Sequence, residues 1–123
     1  MSLRELIPML ETNNIEETIS FYEEVLGFKC VKKVDNDWAR MEREDVAIMF
    51  SIRFTEQDHP NTFLTGGLYI YTSTIDLLWT EFKDKVKVCY PLETFDYGMR
   101  EFAIYDCNDY LLQFGQDLGE NLN

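Results

Sequence analysis

The chain has 123 residues, and its 23 acidic against 11 basic side chains give a net charge of -12 at neutral pH. This charge repels nucleic-acid backbones and anionic lipid, so it argues against nucleic-acid and membrane partners, and it would attract a cationic ligand. A chain of this length predicts one domain, and its content of 46% apolar residues predicts a packed core. No apolar run approaches a membrane span, and the first residues lack the apolar core of a signal peptide, so we expect a cytoplasmic protein.

The first half of the chain predicts a strand, a helix and three further strands. Residues 6–10 form a short apolar run with a proline, which predicts a strand. The stretch at residues 13–28 contains a predicted helix, because apolar side chains recur there at steps of three and four, and Phe28 is predicted to start the next strand. Asn13 is placed to cap this helix and Gly27 to end it. Three strands are predicted after it, over residues 29–34, 38–43 and 46–53.

The second half repeats this order after a predicted linker over residues 54–65. Thr74 is placed to cap a second helix, whose apolar residues through Phe82 again follow helical spacing. Strands are predicted around it, over residues 68–72, 86–92, 100–105 and 110–114. We therefore expect an α+β fold in a single domain, with two βαβββ modules over residues 4–53 and 66–115. Each module would form a half-open mixed sheet, and together they would curve around a concave pocket.

Two motifs resemble the vicinal oxygen chelate superfamily, which includes glyoxalase I, extradiol dioxygenases, and fosfomycin and bleomycin resistance proteins. The first is FYxxxLGF at residues 21–28, and the second is the turn and strand segment YGMREFAIYDCNDYLLQF at residues 97–114. The motifs occur in the right order within a matching repeat, and the resemblance covers nearly the whole chain. It implies the glyoxalase/bleomycin resistance fold.

The enzymes of this superfamily hold a divalent metal with two histidines and a glutamate, and the resemblance implies where these ligands would stand. The three positions fall on or beside Ile7, Gly67 and Gln113, none of which is a good metal ligand. The one histidine, His59, lies in the predicted linker. We therefore expect no metal, no cofactor and no catalysis of the usual kind.

Other details are similar to the bleomycin resistance proteins, which are dimers that hold the drug in grooves between subunits by aromatic stacking and acidic groups. The segment DNDWARMERED at residues 35–45 places Trp38 at a stacking position, Asn61 resembles part of their Asn-Thr element, and Tyr97 precedes the Gly-x-Arg-Glu-Phe run. The resemblance implies a homodimer that sequesters a flat, cationic small molecule. The ligand-binding residues expected from it are Trp38, Met49, Asn61, Tyr97, Phe102 and Gln113.

Two other functions stay open on the sequence. The first is a metal-dependent lyase or extradiol dioxygenase with atypical ligands, drawn from Glu42, Glu101 and Asp106. The second is a structural or regulatory dimer that uses its aromatic side chains as an interface. Trp38 is as well suited to a core position in its alternating strand as to stacking on a ligand.

Overall fold

The computed structural model describes residues 2–53 and 64–119, and it contains two compact units, Met1–Thr62 and Phe63–Asn123. Over the described residues, each unit has one helix and one four-stranded mixed sheet. The α+β class and the two βαβββ modules are therefore confirmed, while the single domain stays a prediction. Most of the predicted linker lies outside the described residues. No helix in the described part of the chain is long and apolar enough to cross a membrane.

The elements of the two units follow the same order. The first unit contains β1 (Met9–Thr12), α1 (Ile15–Glu24), β2 (Lys29–Val34), β3 (Trp38–Arg43) and β4 (Val46–Ile52). The second contains β5 (Leu68–Tyr71), α2 (Ile75–Phe82), β6 (Lys87–Thr94), β7 (Met99–Tyr105) and β8 (Leu111–Asp117). The strand orders are β1-β4-β3-β2 and β5-β8-β7-β6, and the first strand of each unit runs parallel to the last.

Strand β1 begins later than predicted. We expected a strand over residues 6–10, but pairing with β4 starts at Met9, and the side chain of Leu6 is 89% exposed. Pro8 explains the shift, because proline has no N–H to donate to a ladder. Its carbonyl still accepts a hydrogen bond from the N–H of Met49 at 2.9 Å.

Helix α1 ends as the sequence predicts but begins one residue away from the predicted cap. Asn14, rather than Asn13, caps the helix, since its Oδ1 accepts a hydrogen bond from the N–H of Glu17 at 3.0 Å. Gly27 has a φ of 74°, in the left-handed region. The next N–H, that of Phe28, donates to the carbonyl of Tyr22 at 2.8 Å, which closes the helix.

Helix α2 packs on one face of the second sheet through aromatic rings. Phe102 of β7 is fully buried, and its ring lies 5.1 Å from that of Trp79 and 6.3 Å from that of Phe82. Thr74 makes no side-chain capping bond, contrary to the sequence prediction. Instead, Gln116 of β8 accepts a hydrogen bond from the first N–H of the helix at 3.1 Å. Because side chains alternate along a strand, the neighbours of Phe102 in β7 point to the opposite face.

Candidate functional site

A buried carboxylate lies on the face of the second sheet opposite α2. It belongs to Glu101, which is next to Phe102 in β7 and only 2% exposed. Three tyrosine side chains surround it: Tyr69 comes from β5, Tyr90 from β6, and Tyr97 from the turn between β6 and β7. We call Glu101 and these three tyrosines the tyrosine cluster.

All three phenols of the tyrosine cluster donate hydrogen bonds to the carboxylate. Oε1 of Glu101 accepts from the hydroxyl of Tyr97 at 2.6 Å and from that of Tyr69 at 3.2 Å. Oε2 accepts from the hydroxyl of Tyr90 at 2.5 Å. Nε2 of Gln113 in turn donates to the Tyr90 hydroxyl at 3.0 Å, which fixes that ring from a second side. An ionised carboxylate only accepts hydrogen bonds, so a ring of O–H donors matches the charged form.

A glycine in β8 makes this arrangement possible. Gly115 pairs with Tyr71 on one side and with Glu101 on the other. A Cβ at Gly115 would overlap the phenol of Tyr69, with the ring carbons Cζ and Cε1 only 2.7 and 3.0 Å away. The Tyr69 side chain therefore crosses over the bare backbone of Gly115 to reach the carboxylate two strands away.

The charge of Glu101 is not balanced by a neighbouring cation. Among the ion pairs of the described residues, none involves Glu101. The adjacent Arg100 is engaged with Asp76 of α2, with Nη2 and Oδ1 2.9 Å apart. The residue opposite Glu101 in β6 is Glu93, an exposed second acid. The site thus combines negative charge with phenolic rings.

The carboxylate and burial keep the phenols protonated. Burial, followed by the hydrogen bond to Glu101, raises the pKa of Tyr90 to about 12. Burial and then the charge of Glu101 raise the pKa of Tyr69. The hydrogen bond to Glu101 is the main cause of the raised pKa of Tyr97. Each hydroxyl therefore remains a donor throughout the neutral pH range.

These pKa shifts predict that alkali destabilises the second unit. A tyrosine whose pKa is higher in the folded than in the unfolded chain contributes stability that is complete below the ordinary pKa of 10. This contribution is lost as the pH rises toward the folded pKa, near 12 for Tyr90. We expect the free energy of unfolding from denaturant titrations to fall over this range, and to fall less steeply in Tyr90→Phe. An equal decline in the variant would contradict the assignment.

The structure brings together two of the residues that the sequence predicts to bind ligand. Tyr97 belongs to the tyrosine cluster, and Gln113 bonds to it through Tyr90. Phe102 is instead a core residue beneath α2, with no exposed surface, and we leave it out of the site.

The remaining predicted residues belong to the first unit or lie outside the described residues. Trp38 and Met49 are half-buried residues of the first unit, on β3 and β4. Their role in ligand binding stays a prediction. Asn61 and His59 lie outside the described residues.

The sequence analysis missed the tyrosines of β5 and β6 and gave Glu101 a different role. One signal was available for Glu101, because an acid within the apolar strand MREFAIY must be buried or face a ligand. Tyr69 and Tyr90 gave no such signal, since tyrosine is common in strands.

The positions that would hold the superfamily's metal do not fit one. Ile7 has no ligand atom, Gly67 has no side chain, and the amide nitrogen of Gln113 donates to Tyr90. The alternative acid set of Glu42, Glu101 and Asp106 does not fit a metal either. Oδ1 of Asp106 already accepts hydrogen bonds from the N–H groups of Asn108 and Tyr110. Within residues 2–53 and 64–119, no three His, Cys, Asp or Glu side chains form a group able to hold an ion.

A family model identifies the class of protein. The model of the Glyoxalase/Bleomycin resistance protein/Dioxygenase superfamily matches residues 8–114, and the chain belongs to this superfamily. The resemblance seen in the two sequence motifs is therefore confirmed. A search of curated proteins found no match.

Solved structures with this fold include proteins of different functions. A bleomycin-binding protein from bleomycin-producing Streptomyces verticillus, complexed with copper(II)-bleomycin, is 24% identical with a TM-score of 0.70, covering 93% of this chain and 96% of its own. A lactoylglutathione lyase from Agrobacterium tumefaciens is 14% identical with a TM-score of 0.69, covering 92% of each chain. A glyoxalase/bleomycin resistance protein/dioxygenase from Alicyclobacillus acidocaldarius is 15% identical with a TM-score of 0.76, covering 95% and 93%. At these identities the likeness shows the fold alone.

Proposed function

We propose that this chain is a non-catalytic binding protein that sequesters a flat, cationic small molecule, and that the tyrosine cluster receives the cation. The observation that carries the proposal is the nearly buried carboxylate of Glu101, held by three neutral phenols with no cationic partner among the described residues. A buried charge is normally paired, so a cationic ligand would complete the site.

Aromatic surface beside the carboxylate suits a flat ligand. The rings of Phe95 and Tyr97 are stacked, with centroids 5.5 Å apart and planes 8° from parallel, and Tyr97 is 67% exposed. A stacked aromatic contact adds about 0.5–1.5 kcal/mol beyond area burial, and a cation over a ring adds about as much at an exposed site. The net charge of -12 would speed the arrival of a cation.

The superfamily offers a first ligand to test. Its Streptomyces verticillus member binds copper(II)-bleomycin, and bleomycin-type drugs join flat rings to a cationic tail. We therefore propose drug sequestration, as in antibiotic resistance, by a cytoplasmic homodimer. The binding roles of Trp38 and Met49 in the first unit stay predictions, and the dimer is part of this proposal.

Calorimetric titration with metal-free and with copper-loaded bleomycin tests the proposal. We expect saturable binding that leaves the ligand chemically unchanged, because the site has carboxylate and phenol groups but no cluster of metal ligands among the described residues. Mass spectrometry of the recovered ligand checks for turnover. A modified ligand would contradict the non-catalytic role, and the absence of heat with any flat cation, whether drug or simple aromatic amidine, would overturn the binding role.

A further inference from the structure

We infer that the cationic head of the ligand is an N–H donor, such as an amidinium, guanidinium or primary ammonium, and that it takes the place of the Tyr97 hydroxyl on Oε1 of Glu101. This inference rests on the proposed function and adds the chemical class of the ligand's cation. It also makes Tyr97 the residue that the ligand must displace.

Tyr97 is the most weakly held member of the tyrosine cluster. Its side chain is 67% exposed, against 37% for Tyr69. It stands in a tight turn in which the N–H of Gly98 donates to the carbonyl of Phe95 at 3.0 Å, and Gly98 has a φ of 88°. Within the described residues, its hydroxyl bonds to Glu101 alone. Rotating this side chain outward breaks one hydrogen bond and the stacking contact with Phe95.

The other two phenols are anchored. Tyr90 is bonded to both Glu101 and Gln113, and its ring contacts that of Phe95 at 6.0 Å. Tyr69 lies in close contact with the backbone of Gly115, which fixes its path over the sheet. A ligand that approaches Glu101 therefore meets Tyr97 as the one movable donor.

When Tyr97 rotates away, Oε1 of Glu101 loses a hydrogen-bond donor, and this loss determines which cations bind there. Without Tyr97, Oε1 of Glu101 keeps the bond from Tyr69 and has an open acceptor position in a nearly buried site. A positively charged N–H donor fills this position with a stronger hydrogen bond than a neutral phenol makes. A quaternary ammonium carries the same charge but no donor, so it would leave the oxygen without its partner.

Two aromatic cations of equal charge separate these cases. Benzamidine carries N–H donors, and phenyltrimethylammonium carries none. We expect calorimetric titration of the full chain to show benzamidine binding at least about tenfold more tightly, which corresponds to the value of one hydrogen bond to a charged group.

The variant Tyr97→Phe tests the displacement itself. It keeps the ring and removes the competing hydroxyl, and we expect it to fold because Tyr97 is 67% exposed. We expect the affinity for benzamidine to rise several-fold and that for phenyltrimethylammonium to rise less. Lower benzamidine affinity in this variant would overturn the inference, because it would mean that the hydroxyl contacts the ligand rather than competing with it.

The outcomes separate the inference from the proposed function. If both probes bind the wild type equally and Glu101→Gln weakens both, the cation site stands and the N–H requirement is wrong. If neither probe binds and bleomycin gives no heat either, the proposed function fails together with the inference.

Discussion

Glu101→Gln is expected to weaken the binding of any flat cation by at least about tenfold, because it removes the only charge that the tyrosine cluster presents. Glutamine preserves the size of the side chain but replaces one acceptor oxygen by an NH₂ donor. Whichever way the amide points, at least one of the three phenols that now donate to Glu101 faces a donor. Titration calorimetry with benzamidine measures the loss.

Glu93→Gln is the matched control for this substitution. Glu93 lies opposite Glu101 across the β6 and β7 pair, but its side chain is exposed. The two variants change the net charge equally, so general attraction of cations by the acidic protein would respond to both alike. We expect Glu93→Gln to bind with nearly wild-type affinity. Equal losses in the two variants would show that the overall charge, and not the enclosed carboxylate, governs binding.

Much of the fold follows from periodicity in the sequence. Residues 46–52 alternate between apolar and other side chains, which fits a strand and not a helix, and they form β4. The residues around Tyr22 have helical spacing, which does not fit a strand, and they form α1. The ends were harder, because a cap depends on the local backbone. Asn13 and Asn14 offer the same amide one residue apart, and only the geometry of the turn decides between them.

The candidate site was less accessible to sequence analysis because it is assembled across four strands. Gln113 and Tyr97 were found through the resemblance, but their connection runs through Tyr90 and Glu101. No single segment of the sequence determines which strands pair or in which register they pair. Adjacent residues also mislead: Arg100 precedes Glu101 directly, yet alternation sends its guanidinium to Asp76 on the helix face.

The role of Gly115 depends on a strand that is distant in the sequence, because this glycine makes room for the phenol of Tyr69 from β5. Gly115→Ala is expected to destabilise the second unit by about 1–3 kcal/mol, as overpacking does in other well-packed sites. The new methyl group would occupy the space of the Tyr69 ring, whose Cζ lies 2.7 Å from the position of that Cβ. The ring must then move away, and its hydrogen bond to Glu101 is lost. Denaturant unfolding measures the stability, and benzamidine titration measures the damage to the site.

A double-mutant cycle with Tyr69→Ala identifies the cause. If the methyl group acts only by displacing the Tyr69 ring, then Gly115→Ala has little further effect on stability once that ring is absent. The φ of Gly115 is not in the left-handed region, so alanine meets no backbone strain there. Strictly additive effects of the two substitutions would contradict this explanation, since they would mean that Gly115 serves the strand rather than the tyrosine that crosses it.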